Sequence, residues 1–142
     1  MPLLIDLKNG DKIIINGAVL ENSGSNTKLL VHNKVPILRE KEVLSEDDAK
    51  TPASRVYFAL QCAYIFPTER AQYLKAFQGF LTDYVAAAPT ALAIGNQIRT
   101  FVEKEELYRA LKAAQKLIKH ESDIFSEMHR VAEAVVGAKK ET

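Results

Sequence analysis

Thr51-Pro52-Ala53-Ser54-Arg55-Val56-Tyr57-Phe58-Ala59 is where this chain changes character. The Thr51 hydroxyl can accept from the free N–H groups of a first helical turn, and Pro52 suits the first helical position, whose N–H has no intrahelical partner. A helix over 52–65 follows, stopped by Pro67. Downstream, Thr68-Glu69 opens a second helix over about 69–87, which Pro89 ends. Thr90 opens a weaker third over 91–103, interrupted by Gly95-Asn96. A last helix runs from about Glu105 to Val136. Upstream of Thr51 the pattern is different. Gly-centred turns, Asn9-Gly10 and Asn16-Gly17, separate β-branched runs such as Lys12-Ile13-Ile14-Ile15-Asn16. Strands are expected at Leu3–Lys8, Lys12–Asn16 with a continuation into Ala18–Glu21, Thr27–His32 and Val35–Glu40, with Asn22–Asn26 a hairpin loop. The expected fold is therefore α+β: a small N-terminal antiparallel sheet, read as a meander, then a bundle of about four helices. The boundaries are 1–50 for the β part, 51–137 for the helical part and 138–142 for a frayed tail.

Composition supports one ordinary globular unit. The chain has 142 residues, 47% of them hydrophobic and 26% charged, enough to form a core without disulfide staples. Its single Cys excludes an internal disulfide and a cysteine-rich zinc cluster. Residues 1–50 carry seven basic against eight acidic side chains, and 51–142 carry twelve against ten, so no strongly basic domain is present. A local basic patch remains open. The N-terminus meets Asp6 early, no long apolar segment follows, and no apolar run reaches the ~20 residues of a membrane helix. The simplest reading is a cytoplasmic protein without membrane contact.

Catalytic signatures are missing. There is no phosphate-binding glycine loop, zinc-protease motif or nucleophile elbow. His120 and His129 are nine residues apart, on opposite faces of a helix, which is poor metal-ligand spacing. Cys62 lies in an apolar helical stretch and reads as an inert buried thiol. Neither an enzyme nor a metal or cofactor site is expected.

Three features could bind a partner. Leu107, Leu111, Ala114, Ile118, Phe125 and Met128 form a coiled-coil-like seam on the last helix. It serves either the chain's own core or a partner groove. Arg109, Lys112, Lys116 and Lys119 fall within one quadrant of that helix and could meet phosphates or an acidic partner, although a solvated face is the commoner role. Arg39 ends the run Val35-Pro36-Ile37-Leu38-Arg39. There it can reach a phosphate or a guanine edge, or pair with a neighbouring Glu.

Ile14-Ile15-Asn16-Gly17-Ala18-Val19, Val35-Pro36-Ile37-Leu38-Arg39-Glu40-Lys41 and Thr51–Ala59 together resemble the FlbT family, flagellin regulators of alphaproteobacteria. The likeness runs to about residue 125. It implies a post-transcriptional repressor of flagellin synthesis, acting on the 5′ untranslated region of flagellin mRNA and alongside the small protein FlaF. The β part alone is similar to the carbon storage regulator CsrA, through Gly10–Gly17 and Val35–Glu40. In that family the Arg of an H-R-E strand contacts RNA. Arg39 holds the matching position, but Leu38 replaces the His and the first strand offers only Lys8. The likeness implies Arg39 as the main RNA contact, with Lys8, Lys28 and Lys34 as weaker phosphate contacts, and a homodimer by analogy. The expected partner is the flagellin mRNA leader, with flagellin itself, FlaF and a second copy as further candidates. The alternative function is a flagellin-binding chaperone or adaptor that affects RNA only indirectly.

Overall fold

The computed structural model describes residues 2–140, without the side chains of 138–140. Five strands, β1 (Leu3–Leu7), β2 (Lys12–Ile15), β3 (Ala18–Glu21), β4 (Thr27–Val31) and β5 (Ile37–Arg39), precede four α-helices. The helices are α1 (Pro52–Ile65), α2 (Arg70–Ala87), α3 (Leu92–Glu103) and α4 (Leu107–Lys140). The α+β order is as the sequence predicts. The chain also turns through short 3-10 segments at Glu40–Glu42 and Glu46–Asp48. Of the tail expected at 138–142, residues 138–140 instead continue α4, and the last two lie outside the described residues.

The strands do not form a meander. β1 pairs with β4, and β2 pairs with both β3 and β5, giving two antiparallel sheets. Only β2–β3 is a hairpin. Its two-residue turn holds Asn16 at φ 52° and Gly17 at φ 86°, the left-handed pair that a tight hairpin needs. The Asn22–Asn26 segment crosses between sheets instead of closing a hairpin. The Asn22 amide donates to the Leu7 carbonyl at 2.9 Å and to that of Ser25 at 3.0 Å, clamping the crossing in place. The physical reason for two sheets is burial. Ile5 and Leu7 of one and Ile13 of the other form a small core with Ile15, Leu29, Val31 and Ile37. A flat five-stranded meander would leave one of these faces in water.

The opposite face of the three-stranded sheet meets the helices. Leu38 is fully buried in the main core, with Ile14 packed against it. Alternation along β5 and β2 thus assigns each strand's two faces to two different cores. α1 is the central helix, and ten of its fourteen residues are buried. The Thr51 hydroxyl accepts from the Ser54 N–H, as its N-cap role requires. Along α1, Tyr57, Gln61 and Tyr64 recur at helical spacing and offer polar tips to the segment beside them. Gln61 brackets Leu44, accepting its N–H at 2.7 Å and donating to its carbonyl at 2.8 Å. Tyr64 accepts the Ile37 N–H at 3.1 Å, and Tyr57 donates to the Glu42 carbonyl. These contacts satisfy backbone groups that a buried connector would otherwise leave unpaired.

Val56, Leu60, Phe77, Leu81, Ile98, Leu107 and Leu111 are buried in the helical part, and Phe58, Tyr64, Tyr73, Leu74 and Ile118 are half-buried. Gly95 does not interrupt α3. It is buried where α3 meets α2, and a Cβ there would stand 3.0 Å from the Val85 side chain. Glu121 of α4 is also buried, and its carboxylate accepts the Ala53 N–H at 2.9 Å. An anionic group from a distant helix therefore caps the start of α1. His120 is held from both ring nitrogens, by Tyr84 at 2.8 Å and by Thr90 at 2.9 Å. It fastens α4 to the end of α2 and the turn beyond it.

Candidate nucleic-acid interface

Arg39 ends β5, just before the 3-10 turn of Glu40–Glu42. Its guanidinium donates through Nη1 to the Asp6 carbonyl at 3.3 Å, reaching across from one sheet to the other. Among the described residues Arg39 forms no ion pair with Glu40 or Glu42, the pairing left open by the sequence. Glu42 instead accepts the Arg39 backbone N–H at 3.0 Å. Most of the five guanidinium N–H donors thus have no recorded protein partner among the described residues.

Asp6 joins two of the four β-part candidates. It pairs in register with Lys28, and its carboxylate lies 4.0 Å from the Lys28 Nζ while its carbonyl takes Arg39. Both ends of that ion pair are exposed, so water and salt weaken it and an external phosphate can replace it. Lys8 follows β1 two residues after Asp6. It is exposed, and its backbone N–H donates to the Asp11 carboxylate at 2.9 Å. Lys34 is exposed in the connection between β4 and β5, with no recorded contact to the other three among the described residues. Arg39 and Lys28 are therefore brought together around Asp6, Lys8 lies along the same strand direction, and Lys34 stands apart.

The α4 stripe is not four equivalent cations. Lys112 lies 3.0 Å from the Glu42 carboxylate, which also accepts the Tyr108 hydroxyl at 2.7 Å. Arg109 pairs with Glu106 at 3.5 Å, and Lys116 donates to the Gln97 amide oxygen at 3.3 Å. Lys119 is exposed and has no recorded partner among the described residues. Glu42 is the residue the sequence did not single out. Burial by itself would raise its carboxyl, but hydrogen bonds from Tyr108 and the Arg39 backbone, with Lys112 beside it, outweigh burial and hold it below the usual glutamate range. In turn the hydrogen bond to Glu42 raises Lys112. The signal for this site is faint: the second of two Glu residues after a strand-end Arg, and a Tyr and a Lys four residues apart on a helix.

Burial pushes the Cys62 thiol up to about 11 and the Tyr84 hydroxyl up to about 12, the opposite of activation. Among the described residues there is no cluster of metal-ligating side chains, and no helix is long and apolar enough to cross a membrane.

The comparisons with known proteins agree with one another. Residues 3–125 match the family model described as flagellar protein FlbT. A probable flagellum biosynthesis repressor protein FlbT 1 of Bradyrhizobium diazoefficiens is 37% identical over 138 residues, covering 94% of each chain. A probable flagellum biosynthesis repressor FlbT of Caulobacter sp. strain K31 is 35% identical, over 85% of this chain and 94% of its own. The flagellum biosynthesis repressor protein FlbT of Caulobacter vibrioides strain ATCC 19089 is 32% identical, over 87% and 89%. No solved structure matches. With a family model spanning most of the sequence and relatives matched nearly end to end, the chain belongs to the FlbT family of flagellar proteins.

Proposed function

We propose that this protein is a non-enzymatic repressor of flagellin synthesis that binds the 5′ leader of flagellin mRNA through the Arg39–Lys28 corner of its two sheets. The single observation behind this reading is the convergence of Arg39 and Lys28 on Asp6, which presents a half-buried planar fork and an exposed point charge side by side at a strand end. The repressor role is supported by the names that relatives of this chain carry. Arg39 supplies the specific contact, because a guanidinium can hold a guanine edge or a phosphate with two parallel hydrogen bonds and an ammonium cannot. Lys28, Lys8 and Lys34 supply phosphate contacts that carry no sequence information.

The test is fluorescence anisotropy of a labelled flagellin leader RNA titrated with protein across a salt series. Binding should weaken steeply as salt rises. Arg39→Ala should cost ~1–3 kcal/mol of affinity, and Arg39→Lys should recover only part of it. Absence of leader binding, together with salt-insensitive capture of flagellin, would overturn this reading in favour of the flagellin-binding adaptor.

A further inference from the structure

α4 has two halves with the same pattern and opposite surroundings. Steps of four and three from Leu107 give Leu111, Ala114, Ile118, Glu121, Phe125, Met128, Ala132 and Val135, an unbroken heptad seam. Up to Glu121 this seam is packed into the chain's own core or half-buried. Beyond it the same seam is open. Phe125, Met128, Val131, Val135 and Val136 are each between 49% and 62% exposed. From Ser122 to Val136 only Ile124 is even half-buried. That segment is about four turns long, ~22 Å at 1.5 Å per residue.

We propose that this open half of α4 pairs antiparallel with the same segment of a second copy of the chain. Three observations favour a second copy over an unrelated partner. First, the positions flanking the seam are Ser122, Ile124, His129, Val131 and Val136, while Asp123, Glu127, Arg130 and Glu133 fall on the outer face. Flanking charges are what select a different partner helix or repel an identical one, and no fixed charge does either here. Second, a two-fold axis near Arg130 sets Phe125 opposite Val135 and Met128 opposite Ala132. Each layer then matches a large side chain with a smaller one, and one contact serves twice in an isologous interface. Third, the root of the segment borders an open groove of about 530 Å³ between α4 and the start of α1, lined by Leu44, Thr51, Ile118, Ser122 and Phe125. In the antiparallel arrangement the partner's Val135 and Val136 arrive beside Phe125, at that groove. Four helical turns make a short seam for a specific complex, so dissociation should fall at about 1–100 µM.

Sedimentation equilibrium of the full chain from ~1 to ~200 µM tests this directly. The weight-average mass should rise from one copy, 15.8 kDa, towards two. Met128→Glu and Phe125→Glu should each hold the mass at one copy with the melting temperature unchanged, because both side chains are exposed in the single chain. A one-copy mass throughout the range overturns the proposal, and so does a dimer that survives both substitutions. The orientation has its own test, since Cys62 is buried and the chain has no other thiol. A mixture of Phe125→Cys and Val135→Cys proteins should form the intermolecular disulfide. Cross-linking that instead favours Phe125→Cys with itself refutes the antiparallel pairing.

Discussion

Removing the Glu42 carboxylate tests whether the two parts of the molecule are held together by the contact between the 3-10 turn and α4. Glu42 is 6% exposed and accepts three donors: the Arg39 N–H at 3.0 Å, the Tyr108 hydroxyl at 2.7 Å and the Lys112 ammonium at 3.0 Å. Truncating one partner of a fully buried ion pair costs ~3–5 kcal/mol. That figure must be lowered here, because the Lys112 side chain is 47% exposed and turns to water once Glu42 is gone. Glu42→Ala should therefore cost ~2–3 kcal/mol, mostly from the orphaned Arg39 N–H and the lost packing of a buried side chain, since the Tyr108 hydroxyl, on a side chain that is 39% exposed, also turns to water. For a chain of this length that is a fall of ~6–12 °C in melting temperature. Glu42→Gln keeps an acceptor and should lose about half as much. Urea titration at pH 7 gives the free energies, and a double-mutant cycle with Lys112→Met isolates the ion pair, which should contribute under about 1 kcal/mol. The pH dependence has a definite sign. The carboxyl titrates lower in the folded chain than in the unfolded chain, where it is near 4.3. Ionised Glu42 therefore stabilises the fold fully above that unfolded value, and the contribution is lost as pH falls through the lowered folded value. The gap between wild type and Glu42→Gln should close in that acid window. A loss below ~0.5 kcal/mol for Glu42→Ala, or a gap that widens on acidification, would refute this account.

Leu111→Asp places a charge at a position that is 1% exposed and should cost several kcal/mol, read as a collapse of the thermal transition. Glu121→Ala removes the acceptor for the Ala53 N–H and should cost ~1–2 kcal/mol in urea unfolding, with most of it restored in Glu121→Gln, which keeps a carbonyl acceptor. Gly95→Leu should destabilise by ~1–3 kcal/mol, since a Cβ alone comes within 3.0 Å of Val85 and the α2–α3 contact must widen. Lys112→Ala should lower stability and leave leader-RNA affinity unchanged, because Glu42 already holds its ammonium; a clear loss of RNA affinity would return the α4 stripe to the candidate interface.

Local chemistry was enough to write down the order of elements. Thr51-Pro52, Pro67 and Pro89 act within one turn of where they stand, so α1, α2 and α3 begin or end within a residue or two of the sequence reading. The Asn16-Gly17 turn is equally local, needing only two residues that accept positive φ. Strand pairing is not local. β1 bonds to β4 and β2 to β5 because Ile5, Leu7, Ile13 and Ile37 are buried together only when two sheets face each other, and alternation within one strand cannot reveal which strand lies opposite. The same limit governs the charged residues. Spacing put Arg109, Lys112, Lys116 and Lys119 on one face, but which of them is engaged depends on Glu106, Glu42 and Gln97, the last two far away in sequence and brought near by packing. Gly95 reads as a helix break from propensity alone and proves to be a close approach of two helices, since the space a side chain would fill belongs to Val85. Sequence determined where the chain is helix and where it is strand, because those choices are made by neighbours. Only the tertiary structure decided which polar groups meet and which half of the α4 seam is left open, because those depend on surfaces that do not exist until the chain has folded.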